Sequence, residues 1–547
     1  MKPLQRFRRI LIADKNDFYQ LLIFAILAGL ISLSIPLGIQ SIINFIQAGQ
    51  YSASWMVIVF FVIVGVSLVG VLKIYQFRIS ENIQQKIFVR ASFDFVSRFP
   101  HIKHTALHNE STRDMANRFF DTINIQKGTA KFVVEILTAL LQIIFGAILL
   151  SFYHVYFAFF GLIILVVLCF IFYFGFNNGL QTSLKESKIK YKVAHWIQEV
   201  ARNYLSFKNG HAFDFALFKN NILVDKYLIL REAHFKVLRS QFIQLTVFKV
   251  FITGTLLIVG GILVINQKMN IGQFVAAEII IITIVIAVEK LFTGLELFYD
   301  LLTSLEKLGS VVDLELEDYR ETIFKIENKP IKLETLNMFY KFPKSDENFL
   351  KNINLTIEAG EKVLITGKNG SGKTTLIRLL SRIFEPTEGI LLINDTNSKK
   401  FSSDDYRANI GVVTAMDTPF EGTIYENIVC GNKDINNEEL NKILKFLELD
   451  HIIKGLELGM NTFLFTEGKQ VNASTIQKIL LARCLVVKPN ILFLEEPVDK
   501  IDSPFSDHII EALTSADFKP TLVVVSNDER WKLRCNKIIS IDKGQII

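Results

Sequence analysis

From Phe18 through Leu72 the chain carries no charged side chain. A bilayer core about 30 Å thick is crossed by about 20 apolar residues in a helix, so this one run must hold two spans. They are expected at Phe18–Ile46 and Trp55–Leu72, separated by the polar turn Gln47-Ala48-Gly49-Gln50. The first is too long for the core of a secretory leader and no small-residue cleavage site follows it, so it is expected to be retained. Pro36 is expected to kink it, which neighbouring spans make tolerable. A second charge-free block, Ile136 to Leu184, again holds two spans, turning tightly near His154. A third pair falls at Gln241–Ile265 and Ile271–Ala287, joined by Asn266-Gln267-Lys268-Met269-Asn270. Six spans are predicted.

The loops set the expected orientation. Lys73 to Lys131 carries ten Lys and Arg, and Lys185 to Arg239 carries eleven, against the single Lys268 in the three opposite loops. The positive-inside rule then puts both long loops and both termini in the cytoplasm. Their helical periodicity predicts that the membrane helices run on well beyond the bilayer. Charges inside spans are costly and mark functional candidates. Lys249 and Glu289 sit at similar depth, either as an ion pair or solvated near the inner interface; Glu278, nearer the outside, faces a translocation path or bonds within the bundle. A net charge of +6 on 547 residues does not call for nucleic acid, and the four cysteines (Cys169, Cys430, Cys484, Cys535) make no metal-like spacing. No disulfide is expected in a cytosolic domain.

Past Leu316 the texture changes to short β-like runs alternating with helical ones, as in an α/β domain. The expected division is a membrane domain over 1–314, a charged linker over 315–330 and an α/β domain over 331–547. Within the last lies Gly367-Lys368-Asn369-Gly370-Ser371-Gly372-Lys373-Thr374, between a strand at Lys362–Thr366 and a helix at Thr375–Ile383. This is a phosphate-binding loop in full context. Its glycines let successive N–H groups face phosphates, with the helix N-terminus adding positive potential. Lys373 is expected on the β- and γ-phosphates and the Thr374 hydroxyl on Mg²⁺. About 120 residues on, Ile491-Leu-Phe-Leu-Glu495-Glu496 is an apolar strand delivering two carboxylates, Glu495 for the metal and Glu496 as base for the attacking water.

At this point the chain resembles ABC transporters. Leu350-Lys-Asn-Ile-Asn-Leu-Thr-Ile-Glu-Ala-Gly-Glu, Tyr406-Arg-Ala-Asn-Ile-Gly-Val-Val, Gly422-Thr-Ile-Tyr-Glu-Asn-Ile, Gln477-Lys-Ile-Leu-Leu-Ala-Arg483 and the strand Thr521–Ser526 carry the likeness. Asn270-Ile-Gly-Gln-Phe-Val-Ala and Leu305-Glu-Lys-Leu-Gly are similar to type I protein-secretion (haemolysin-type) exporters. The resemblance implies an all-α six-helix transmembrane domain followed by a P-loop ATP-binding cassette domain, ATP and Mg²⁺ as cofactors, and the cytoplasmic membrane as location. It implies a dimer with an identical or different half-transporter, and, in secretion systems, a periplasmic adaptor and outer-membrane channel. With only the stretch before Phe18 preceding the first span, the N-terminal peptidase-like domain of some such exporters is not expected. Phe342 matches the aromatic that stacks on adenine, and Ser111–Met115 and His211–Phe218 resemble coupling helices.

Several family positions are changed. The glutamine expected after Ile410–Val413 is Ala415, flanked by Thr414 and Met416. The signature Leu-Ser-Gly-Gly-Gln reads Val471-Asn472-Ala473-Ser474-Thr475, and the γ-phosphate-sensing histidine is Asn527. Asn472 can still donate, whereas Ala473 and Ser474 add Cβ atoms where backbone must approach closely. The first carboxylate is Glu495 where aspartate is usual, and Asp502 of the inter-subunit loop is kept. Thr375 completes the expected nucleotide contacts. The expectation is therefore an ATP-driven exporter subunit with preserved ATP binding and slowed hydrolysis. The alternative is a non-hydrolysing subunit in which ATP acts as a clamp, paired with an active partner.

Overall fold

The computed structural model describes residues 2–49, 53–107, 112–317, 326–343 and 345–547. Chain contacts divide it into two units, Met1–Pro100 with Asn109–Leu314, and His101–His108 with Glu315–Ile547.

The first unit is helical: α1 (Pro3–Ala13), α2 (Lys15–Ser32), α3 (Ser34–Gln47), α4 (Ala53–Arg98), α5 (Thr112–Asn117), α6 (Asp121–Ser151), α7 (Val155–Arg202), α8 (Gly210–Ile265) and α9 (Ile271–Val312). Taking α2 and α3 together, six helical stretches among the described residues are long and apolar enough to cross a membrane. At about 1.5 Å per residue, the 56 residues of α8 exceed the bilayer more than twofold. The expected kink is a break. Pro36 has no N–H to offer Ser32, so the ladder stops at Leu33 and restarts at Ser34. Between α6 and α7 the tight turn is closed by His154, whose Nδ1 accepts from the Tyr156 N–H at 3.3 Å. His211–Phe218 forms no separate helix but the first turns of α8, where Asn209 precedes an uninterrupted run. Ser111 lies outside the described residues, and Thr112–Asn117 is a single short helix.

Burial separates the helices by role. α9 is the most enclosed, with Ala277, Ile284, Ala287 and Val288 fully buried in a core shared with α6, α7 and α8. α4 leaves Phe60, Phe61, Ile63 and Val66 exposed. Apolar side chains on that scale face lipid without cost, since hydrocarbon is as good a solvent for them as a core.

The second unit holds β1 (Leu333–Tyr340), β2 (Leu350–Ile357), β3 (Lys362–Thr366), β4 (Glu388–Ile393), β5 (Thr396–Asn397), β6 (Ile410–Val413), β7 (Gly422–Thr423), β8 (Phe463–Leu464), β9 (Ile491–Glu495), β10 (Thr521–Val525), β11 (Lys537–Asp542) and β12 (Gln545–Ile546). Its main sheet runs β12-β11-β3-β10-β9-β6, parallel except for β12. β9 and β10 are buried along their full lengths, as parallel strands covered on both faces must be. Alternate residues feed opposite cores: Leu364, Leu492, Leu494, Leu522 and Val524 into one, Ile365, Phe493, Val523 and Val525 into the other. The antiparallel sheet β2-β1-β4-β5 packs beside the second core. Residues 101–107 belong to this unit: Lys103 pairs with Glu315 at 2.6 Å and His104 stacks on Phe384, centroids 4.2 Å apart. Burial there holds the His104 imidazole below its ordinary pKa, with Arg378 adding to the effect.

Candidate nucleotide site

Ligands of open parallel sheets bind beyond the carboxyl ends of the strands. Here β3 ends in the glycine loop, β9 in Glu495 and Glu496, β10 in Ser526 and Asn527, and β6 in Thr414 and Ala415. The register Val413↔Leu494, Val525↔Glu495 and Val525↔Ile365 brings these four ends level.

The loop is built for backbone donors. Gly367 has φ +146°, and a Cβ there would lie 2.2 Å from the Ile541 carbonyl oxygen and 2.8 Å from Ser371 Oγ. Gly370 and Gly372 have φ of +79° and +114°, and a Cβ on Gly372 would lie 2.6 Å from Leu350 Cδ2. No other residue type fits these positions without strain. Ser371 Oγ is buried and unpartnered, while Gly544 N–H donates to the Ser371 carbonyl at 3.0 Å. Lys373 Nζ sits at the loop centre, 2.6 Å from the Gly367 carbonyl and 3.0 Å from that of Lys368. The helix starts at Lys373, earlier than the expected Thr375, because Gly372 takes the left-handed cap; it stops at Leu380, short of Ile383, because Arg382 turns left-handed. Lys373, Thr374 and Thr375 thus all belong to the first turn.

Thr374 Oγ1 donates to Glu495 Oε1, and the Ala415 N–H donates to Glu495 Oε2 at 3.3 Å. A hydroxyl and a carboxylate in contact form a hard oxygen pair, which suits Mg²⁺ held mainly by water and phosphate oxygens. No group of three His, Cys, Asp or Glu among the described residues offers a protein-only metal cage. The unpaired Ser371 hydroxyl, the glycine cradle and this pair all fit a Mg²⁺-nucleotide.

Glu496 takes φ +44°, a conformation that non-glycine residues hold only where the surroundings impose it. Its N–H donates to Val525 O at 2.9 Å, and its Oε2 accepts from Ser526 Oγ at 2.7 Å. Gln477 Nε2 donates to the Glu496 carbonyl at 2.6 Å while Gln477 Oε1 accepts from the Lys500 N–H. Sequence reasoning gave neither Gln477 nor Ser526 a role. Gln477 had a signal, an amide inside a helix apolar enough to be buried.

The remaining expected residues make no side-chain hydrogen bond to the loop among the described residues. Asn472 caps the helix Ala473–Val486, its Oδ1 accepting from Thr475 N–H at 2.7 Å. Asn472 and Ala473 are exposed and Ser474 half-buried. Asp502 precedes the helix Ser503–Thr514 without a side-chain cap bond. Asn527 is exposed, followed by Asp528, whose carboxyl Arg530 holds below the usual carboxylate range through hydrogen bonds and charge. Phe342 meets Tyr340 and Phe349 edge-on at 5.1 and 5.0 Å, and Phe349 borders Gly372. In the first unit, Lys249 Nζ lies 2.5 Å from Glu289 Oε2, an ion pair between α8 and α9. Glu278 makes no ion pair with any described residue.

The ABC transporter family matches residues 350–499. The nisin transport ATP-binding protein NisT of Lactococcus lactis is 33% identical over 258 residues, 46% of this chain and 42% of NisT. The probable microcin-H47 secretion/processing ATP-binding protein MchF of Escherichia coli is 28% identical over 283 residues, 52% of this chain and 40% of that one. The mitochondrial iron-sulfur clusters transporter ATM1 of Saccharomyces cerevisiae is 30% identical over 273 residues, 46% and 39% of the two chains. The chain thus spans only about two fifths of the length of these relatives. A bacterial Atm1-family ABC exporter with ATP bound superposes with TM-score 0.83 at 15% identity, covering 97% of this chain and 94% of that one. Residues 350–499, which span the phosphate loop and the acidic strand, thus match the ABC transporter domain, and the chain shares its fold over nearly its whole length with an ABC exporter.

Proposed function

We propose that the chain is one half of an ATP-driven exporter of the cytoplasmic membrane, working as a dimer with a second half-transporter and hydrolysing ATP slowly. The observation that carries this reading is the Thr374–Glu495 pair beside a complete glycine loop, with Glu496 placed one residue on. In the reading, Lys373 neutralises the β- and γ-phosphates, Thr374 and Glu495 hold Mg²⁺, and Phe342 supports adenine. Bound Mg²⁺ supplies a Lewis acid for charge developing between the β- and γ-phosphates. Glu496 accepts the proton of the attacking water. Asn472, Ser474 and Asp502 make no hydrogen bond to the phosphate loop of their own chain among the described residues, and in this reading serve the nucleotide of the partner. Losing one preorganised transition-state donor costs about 10²–10³ in rate, and the side chains at Ala415, Asn527 and the signature are all altered. A periplasmic adaptor and outer-membrane channel complete the assembly in the secretion-system form of this reading.

The ATPase rate of the purified chain, alone and with a partner half, tests it. The expected result is slow but Glu496-dependent turnover. A second reading, ATP as a clamp without hydrolysis, is favoured by the hydrogen bond that engages Glu496 with Ser526, and zero turnover in both settings would select it. Orientation is tested separately. A cysteine at Asn270 should react with an impermeant thiol reagent on intact cells and one at Lys188 should not; the reverse pattern inverts the topology.

A further inference from the structure

Four lysines from three helices of the first unit line one cavity of about 560 Å³: Lys73 on α4, Lys127 and Lys131 on α6, and Lys290 on α9. The single carboxylate on its wall is Glu135, 3.9 Å from Lys131 and one turn along the same helix. Lys73, Lys127 and Lys290 make no ion pair with any described residue. Between the lysines stands Gln76, 4% exposed, whose Nε2 has no hydrogen-bond partner. A buried amide N–H left without an acceptor is costly, so this wall is short of negative or acceptor atoms rather than of donors. A second cavity of about 220 Å³ shares Lys73 and Thr138 and continues past Gln142, Pro36 and Thr283.

Lysines that only fix orientation need to reach head groups, and their long stems let them point outward. Here four of them, all solvent-exposed, gather like charge around one open cavity whose lining holds Glu135 as its carboxylate, so they repel one another. An anion relieves both that repulsion and the unpaired Gln76 donor. We propose that this cavity binds the transported substrate, and that the substrate is a small polyanion, with two or more carboxylate or phosphate charges and an apolar part lying against Phe77 and Val134. The volume falls in the range of about 300–1,000 Å³ typical of small-molecule sites. This inference rests on the export reading and names its substrate class.

The same chemistry belongs to a soluble polyanion or to an anionic lipid head group, and the test separates them. The full chain is placed in phosphatidylcholine nanodiscs without ATP and titrated with fluorescein as dianion and with rhodamine 110, a zwitterion of no net charge on a similar ring frame, reading anisotropy. Fluorescein should bind at least about tenfold tighter than rhodamine 110, more weakly as salt rises. The combined change Lys73→Gln, Lys127→Gln and Lys290→Gln should remove that preference while ATP still stabilises the protein thermally. Lys268→Gln, in the loop at the far end of the spans, should leave it intact. If the triple variant does not fold, the three single changes decide, each expected to weaken fluorescein about threefold. Phosphatidylglycerol in the disc should displace fluorescein if the natural occupant is a head group, and leave it bound if it is a soluble anion. Equal affinity for both dyes, or a preference that survives loss of the lysines, would overturn the proposal. Because binding is read without ATP, a chain that binds the dianion yet exports nothing keeps the site and loses the export reading, and the converse loses only the site.

Discussion

The two sides of the nucleotide site are held to different standards by their own chain. On the phosphate side, Gly367, Gly370 and Gly372 have backbone angles that a Cβ would strain, and Gly367 also faces a carbonyl at 2.2 Å. Thr374 and Glu495 are likewise locked on each other. On the other side, Asn472 and Ala473 lie exposed at a helix start, and Ala415 and Asn527 are exposed. Nothing in the fold of one chain demands a glycine at 473 or 474. A constraint there can only come from what docks against them. Substitution on the phosphate side is expected to cost folding as well as binding, whereas at the exposed Ala415, Ala473 and Asn527 it is expected to cost function alone. That is the pattern of retained and altered motif residues in this sequence.

The comparison is broken most directly at Lys373. With ATP at a thousandfold excess over its dissociation constant, binding adds about 4 kcal/mol of stability. Lys373→Ala should abolish that gain in a thermal unfolding assay. Phe342→Ala should weaken ATP by roughly five- to hundredfold, the range expected for loss of one stacked base. A Lys373→Ala protein that is still stabilised by ATP would show that the glycine loop is not the binding site.

Repair of the docking side gives the next effect. In the proposed reading Ala415→Gln, Asn527→His, Val471→Leu, Asn472→Ser, Ala473→Gly, Ser474→Gly and Thr475→Gln act on one γ-phosphate from different directions, so their effects are expected to be non-additive. Together they should raise the ATPase rate at least about tenfold. Glu496→Gln should remove the gain and leave ATP binding in place. Parent turnover already as fast as the repaired protein would mean the substitutions are compensated, and that the two sides do not differ as argued.

Much of the fold and the phosphate side is legible in the amino-acid sequence alone because their signals are one-dimensional. Charge-free runs locate spans regardless of how helices pack, and the loop from Gly367 to Thr374 carries its own geometry in its glycines. What escapes are features set by contacts between distant segments. Ser526 reaches Glu496 only because β9 and β10 are paired in register. Gln477 spans Glu496 and Lys500 from a separate helix. The segment 101–107 joins the second unit through Phe384 and Glu315, more than 200 positions away. The break at Leu33 is foreseeable as a kink because proline acts on its own helix.

Asn472 sharpens the comparison with the smallest effect, because it has a structural duty and an inferred functional one on the same side chain. Its Oδ1 caps the helix Ala473–Val486, and losing such a cap costs about 1 kcal/mol. Asn472→Ala should therefore lower thermal stability by that amount. Asn472→Asp caps equally well, and the helix N-terminus favours its charge, so stability should be unchanged or slightly raised. The same carboxylate, if it faces the partner's nucleotide, repels the γ-phosphate. ATP-dependent dimer closure, followed by crosslinking or light scattering, should then weaken in Asn472→Asp while monomer stability holds. Serine at this position keeps the cap without the charge and should close as the parent does. A dimer that closes equally well with aspartate would leave Asn472 as a helix cap alone, and would take it out of the docking side altogether.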